Sequence, residues 1–143
     1  MKKKYENEED VLAVVRSFED GTISRNEWKH AEHLTVALYY LSNHDIKTAS
    51  DKMRSGILNL LRSFGVDLLE EMPYHETLTV FWIRTLAEFN ESKNGSCLVD
   101  KANEVVDIYN KDLPLKFYSR NYLFSDEARA RFIESDLISV KLS

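Results

Sequence analysis

Three of the four histidines in this chain stand where an amphipathic helix would be expected to bury carbon. His30 and His33 lie in the stretch WKHAEHL, and His75 opens a second apolar stretch that includes Trp82. On a helical wheel, His30 falls inside the apolar stripe and His33 lies at its edge. His75 shares the face of Trp82. Imidazoles in such positions can bind a metal, hydrogen-bond a ligand or transfer a proton near neutral pH.

The first interpretation is a divalent metal site, with Zn or Fe as candidate ions. The His-x-x-His spacing brings His30 and His33 close together on one helix. His75 from a second helix would complete three ligands, with the carboxylate of Glu76 beside it. The pattern differs from that of zinc proteases, because Thr79 stands where a motif beginning at His75 would need its second histidine.

The second interpretation is a pocket for a small molecule, in particular an anion, without a metal. Two helix N-termini at one end of the domain would supply free amides and partial positive charge. Arg120 would clamp a carboxylate or phosphate, while Trp28 and Tyr74 would be further ligand contacts. If the site is catalytic, His75 or Glu76 is the expected acid–base group.

The third interpretation is structural, with buried imidazoles that pair with main-chain carbonyls or tyrosine hydroxyls and have no other task. Three inward histidines and a carboxylate make this structural interpretation less favoured, because each unpaired buried polar group costs about 1–3 kcal/mol. The residues alone leave all three interpretations open.

Three segments carry a further pattern, namely WKHAEHL around His30, YHETLTVFW from Tyr74 and YSRNYLFSDEAR from Tyr118. Together they resemble motifs of a family of small bacterial all-helical proteins, over residues 18–137. The resemblance implies no particular activity. It does imply that the three segments belong together, so the segment around Arg120 would fold over the histidine end and close the pocket.

Apolar periodicity and helix-capping residues predict an all-α fold. Five main helices are expected over residues 8–19, 25–42, 46–64, 74–92 and 97–110, with a short last helix over 127–133. The second should follow a capping box of Ser24 and Glu27, and its apolar circumference marks it as the central, buried helix. We predict an up-down bundle with an irregular C-terminal wrap, in which the N-terminal ends of helices two and four meet.

Length and composition predict one domain, 1–143, with a flexible tail over residues 1–7. The net charge of −5 and the lack of a basic stripe argue against nucleic-acid binding. Cys97 is the only cysteine, which excludes a disulfide within the chain and a cysteine-based zinc site. No apolar run reaches membrane-spanning length and no signal peptide is visible, so we expect a cytoplasmic protein without membrane contact.

The favoured function is a metal- or small-ligand-binding helical domain with an internal histidine and glutamate site, and catalysis is left open. The alternative is a non-catalytic interaction or regulatory module whose histidines are structural. A concave pocket at the histidine end would favour the first class, whereas a large exposed apolar patch elsewhere would favour the second.

Overall fold

The computed structural model describes residues 3–66 and 74–137, and every regular element in these two ranges is a helix. The all-α prediction is confirmed for these residues. The main helices are α1 (Glu8–Asp20), α2 (His30–Asn43), α3 (Ile46–Ser63), α4 (Glu76–Ser92) and α5 (Leu98–Ile108). They are followed by a 3₁₀ turn (Leu113–Lys116) and two short helices, α6 (Arg120–Leu123) and α7 (Asp126–Ala130).

Helix α2 forms the centre of the fold, as its apolar circumference predicts. It packs against α1, α3, α4 and α5. The residues that it buries point in nearly every direction around its axis; they are Leu34, Thr35, Val36, Ala37, Leu38, Tyr40 and Leu41. Thr35 is the polar member of this set, and it is hydrogen-bonded to the Tyr5 hydroxyl and the Ala31 main-chain oxygen.

Capping residues in the sequence correctly predict several helix ends. Asp45 caps α3 by accepting a hydrogen bond from the Thr48 amide, and Ser125 caps α7 in the same way. Gly21 ends α1 in the left-handed conformation with a φ of 70°, which favours a residue without a Cβ.

The predicted start of α2 is wrong by more than one turn. Ser24 and Glu27 do form the reciprocal contacts of a capping box, but they close an isolated turn. Lys29 is extended, and α2 begins at His30. Glu32 accepts a hydrogen bond from the Lys29 amide at 3.1 Å and therefore caps the actual first turn.

The C-terminal part is more regular than predicted. The expected irregular stretch over residues 116–124 contains the end of the 3₁₀ turn and helix α6, and the last helix is the shorter α7. Pro114 lies in the first turn of the 3₁₀ segment, where its missing N–H leaves no bond unmade. Residues 138–143, the end of the predicted C-terminal wrap, lie outside the described residues.

One buried side chain attaches this C-terminal part to α4, and a second joins two stretches of the C-terminal part to each other. Thr77 of α4 donates a hydrogen bond to the Arg131 main-chain oxygen at 3.0 Å and accepts one from the Ile133 amide at 3.2 Å. The Tyr118 hydroxyl donates to the Ile133 main-chain oxygen at 2.6 Å. The segment that follows α5 is therefore fixed against the outer face of α4.

One residue of the segment before α1, Tyr5, is anchored in the bundle, while its neighbours Lys3, Lys4, Glu6 and Asn7 are exposed. Tyr5 is buried, and its main-chain N–H and C=O both bond to the side chain of Asn103. Its hydroxyl pairs with Thr35 at 2.8 Å. Residues 1–2 and the connection over 67–73 lie outside the described residues. Among the described helices, none combines the length and the apolar character needed to cross a membrane.

Candidate ligand-binding site

The N-terminal ends of α2 and α4 meet at a pocket with a volume of about 390 Å³. Helix α3 forms a further wall, and the segment after α5 reaches the pocket through Lys111. The lining residues are Trp28, Lys29, His30, His33, Ile57, Leu61, Tyr74, His75, Leu78, Thr79, Trp82 and Lys111. The three histidines singled out by their spacing thus line one pocket.

His30 is held by the main chain and by an aromatic ring. Its Nε2 donates a hydrogen bond to the Tyr109 main-chain oxygen at 3.0 Å, which leaves Nδ1 as the acceptor of the neutral ring. The Trp82 ring lies edge-on to it, with ring centroids 4.9 Å apart. Desolvation lowers the pKa of His30 despite the opposing effect of the Tyr109 carbonyl, so the ring is neutral at pH 7.

His33 differs from the other two pocket histidines, because its ring nitrogens have no hydrogen-bond partner within residues 3–66 and 74–137. The ring lies edge-on to Trp28, with centroids 6.1 Å apart. Burial lowers the pKa of His33 to about 4, and His30 has a smaller effect in the same direction. His33 therefore offers the pocket a neutral imidazole, which can both donate and accept a hydrogen bond.

His75 uses both of its ring nitrogens within the protein. Nδ1 accepts a hydrogen bond from the Leu78 amide at 3.2 Å and so caps α4, while Nε2 donates to the Leu123 main-chain oxygen at 2.7 Å. Desolvation lowers the pKa of His75 and keeps the ring neutral. These contacts leave neither nitrogen free for the acid–base role that the sequence predicts for this residue.

Glu76, the second predicted acid–base residue, lies beside the pocket and is paired. Arg54 of α3 binds both carboxylate oxygens, at 2.9 Å from Nε and 2.8 Å from Nη2. The Tyr74 hydroxyl donates a third bond at 2.7 Å. Desolvation raises the pKa of Glu76, but the bonds from Arg54 and Tyr74 outweigh it and hold the pKa below its ordinary value. Glu76 is thus an ionised anchor between α3 and α4.

The predicted ligand contacts divide into two groups. Trp28 and Tyr74 line the pocket, whereas Arg120 is absent from its described lining. Arg120 is the exposed first residue of α6. The segment around it reaches α4 through the bond between Leu123 and His75 rather than by covering the pocket mouth.

The potential metal ligands do not converge on one point. In the part of the chain that the structure describes, no three His, Cys, Asp or Glu side chains are grouped so that they could hold an ion. His30 and His75 each direct a ring nitrogen at a main-chain carbonyl, and Glu76 is bound to Arg54. This donor set fits hydrogen bonding to an organic molecule better than coordination of a metal.

The charge of the pocket is positive. Lys29 and Lys111 belong to its lining, and no described lining residue is acidic. The three histidines are neutral at pH 7, because burial lowers the pKa of each. Two ammonium groups beside aromatic surface favour a small molecule that carries negative charge.

Seven of the twelve lining residues were not predicted as site residues, and Lys29, Trp82 and Lys111 are the charged and aromatic ones among them. Lys29 adjoins His30, and Trp82 shares the helix face of His75, so the pattern that pointed to the histidines could have included both. Lys111 follows α5, and no local pattern connects it with α2 or α4. Its place in the pocket is a consequence of tertiary packing alone.

No family model, curated protein or solved structure matches this chain. Helices packed around a central helix serve many unrelated functions. The chemistry of the site is therefore the basis for a function.

Proposed function

We propose that this protein binds a small organic anion with a planar, apolar body in the pocket at the N-terminal ends of α2 and α4. One observation carries the proposal: both tryptophans of the chain, three histidines and two lysines line the pocket, with no acidic residue in its described lining. The concave pocket at the histidine end favours a ligand-binding domain over the interaction module weighed from the sequence.

The apolar part of the ligand would lie between the two tryptophans. Trp28 and Trp82 line the pocket, and Leu61 adds an aliphatic wall. Aromatic groups favour offset or edge-to-face contact, worth about 0.5–1.5 kcal/mol beyond the area buried. The volume of about 390 Å³ falls within the range of about 300–1,000 Å³ that is typical of small-molecule sites.

The charged part of the ligand would lie toward Lys29 and Lys111, which are both exposed at the solvent side. An exposed ion pair contributes about 0.2–1 kcal/mol, so two lysines give preference for an anion rather than tight binding. The N–H of His33 would supply a directed hydrogen bond. A bound anion would also raise the pKa of His33, so affinity should increase as the pH falls.

We propose binding without a reaction step. The ring nitrogens of His75 and the carboxylate of Glu76, which would move a proton, are hydrogen-bonded to other groups of the protein. The proposal assumes that α2 and α4 run parallel in an up-down bundle. The pocket that their N-terminal ends share supports this arrangement. The bacterial family resemblance and a cytoplasmic location stay predictions.

The test compares 3-phenylpropionate with its neutral isostere 3-phenylpropanamide by isothermal calorimetry. The anion should bind more tightly than the amide, and Lys29→Gln and Lys111→Gln should each remove about 0.2–1 kcal/mol of that preference. Lys47→Gln is the matched control, because Lys47 is exposed on α3, outside the pocket, and pairs with Asp51. Added salt should weaken binding of the anion only.

Equal affinity for the two probes, or no effect of either pocket lysine, would contradict the proposed recognition of charge. Elemental analysis of the native protein beside His30→Ala and His75→Ala separates this proposal from the metal interpretation. Stoichiometric metal that is lost in both folded variants would show that the pocket binds a metal and not an organic anion.

A further inference from the structure

A second cavity, of about 240 Å³, lies on another side of α4. Phe81 lines this cavity, whereas its neighbour Trp82 lines the pocket described above. The two rings meet edge-on with centroids 5.2 Å apart, so they separate the two spaces. The opposite wall comes from the segment that follows α5, which Thr77 and Tyr118 hold in place.

Phenyl rings form much of this second cavity. Phe81 and Phe117 lie with centroids 5.7 Å apart and their planes tilted by 52°. The guanidinium carbon of Arg84 lies 4.5 Å from the centroid of Phe132, at the distance of a cation–π contact. This arginine already contacts one ring face, and the remaining rings give a slot for a small apolar body.

The charge of the second cavity is opposite to that of the first. Glu88 and Glu134 contribute carboxylates to the lining, against the single guanidinium of Arg84. Neither carboxylate forms an ion pair within residues 3–66 and 74–137. Two carboxylates and several aromatic faces both attract a cation, the first by its charge and the second by the ring quadrupole.

We propose that this second cavity binds a small primary ammonium compound with an aromatic or aliphatic body, its ammonium group directed at Glu88 and Glu134 and its body against Phe81 and Phe117. The site is independent of the anion pocket and has its own ligand class. A cavity of this size accepts a molecule such as an arylalkylamine, which is smaller than a typical drug.

The probe is 3-phenylpropylamine, compared with 3-phenylpropionate and 3-phenylpropanamide, which have the same body and a different charge. Isothermal calorimetry should show that Glu88→Gln and Glu134→Gln each weaken binding of the amine severalfold. Glu91→Gln, an exposed residue of α4 outside the lining, is the matched control and should leave affinity unchanged. All three positions are exposed, so the variants should fold.

A saturating amount of 3-phenylpropionate should leave the affinity for the amine unchanged, because the two compounds would occupy different spaces. Competition between them, amine affinity equal to that of the amide, or insensitivity to both glutamate variants would overturn the proposal. If 3-phenylpropionate does not bind while 3-phenylpropylamine binds as predicted, the anion pocket is rejected and this second site is supported.

Discussion

His75 shows how the main chain determines the role of a single buried imidazole. Its position in the apolar pattern correctly predicts that it turns inward. Its two partners, the Leu78 amide and the Leu123 carbonyl, are a cap and a long-range contact respectively. The cap is local but was not predicted, because the expected helix begins at residue 74 and α4 begins at Glu76. The contact with Leu123 depends on the path of the C-terminal segment. Periodicity therefore predicts the direction of the side chain but not its partners.

The same distinction separates His33 from His30. Both lie on the first turn of α2, yet the His30 ring is hydrogen-bonded to the Tyr109 main chain, and the His33 ring has no hydrogen-bond partner among the described residues. The carbonyl of Tyr109 lies just beyond the end of α5, so it cannot be predicted from the residues around His30. The sequence thus predicts three pocket histidines without indicating which one is available to a ligand.

Protonation of the pocket histidine His33 should reduce stability in mild acid. Burial lowers the pKa of His33 from 6.5 to about 4, so between these values the unfolded chain binds a proton that the folded chain excludes. The free energy of unfolding should therefore fall as the pH decreases below 6.5. His33→Gln should reduce this pH dependence, as measured by urea unfolding across that range.

His44→Gln serves as the matched histidine variant, since His44 is exposed in the turn before α3 and lies outside the pocket. The carboxylate of Glu76 contributes in a lower range, because its pKa lies below its ordinary value. An unchanged pH dependence in His33→Gln would contradict the lowered pKa of His33.

At the scale of the helices, the start of α2 shows the limit of local capping signals. Ser24 and Glu27 make the contacts of a capping box, but the chain then extends before the helix begins at His30. Trp28 lies between that turn and α2 and stacks on Phe18 with centroids 4.9 Å apart. Burial of these two rings competes with continued helix and explains why the local signal fails here.

Helix α3 contains a glycine whose role is to admit a neighbouring ring. A Cβ added at Gly56 would lie 2.3 Å from Cζ of Phe18, a fully buried residue. Gly→Ala within a helix ordinarily stabilises by about 1 kcal/mol, whereas forced overpacking costs about 1–3 kcal/mol. Gly56→Ala should therefore lower the free energy of unfolding, as measured by urea denaturation.

The double variant Gly56→Ala with Phe18→Leu tests whether contact with the Phe18 ring causes the loss of stability. Leucine lacks the ring atoms that meet the new methyl group, so Gly56→Ala should be less destabilising in that background than in the native one. A stabilising effect of Gly56→Ala in the native background would contradict the close packing of α1 on α3.

At the scale of the whole molecule, the C-terminal segment creates the second cavity rather than covering the first. The sequence predicts that this segment wraps the bundle, and it does lie against α4. Its attachment depends on Thr77 and the main chain of Arg131 and Ile133, groups more than fifty residues apart in sequence. Helix periodicity has no information on such distant pairs, so the all-helical class is predictable and the placement of this segment is not.

The central claim concerns one pocket in which the two tryptophans of the chain contact an anionic ligand. The most direct test is a tryptophan fluorescence titration with 3-phenylpropionate, a compound whose phenyl ring does not emit in the tryptophan range. We predict a saturable change in emission at the calorimetric affinity, retained in both Trp28→Phe and Trp82→Phe, because each remaining tryptophan still lines the pocket. Calorimetric binding without any saturable change in emission would place the ligand elsewhere and contradict the account.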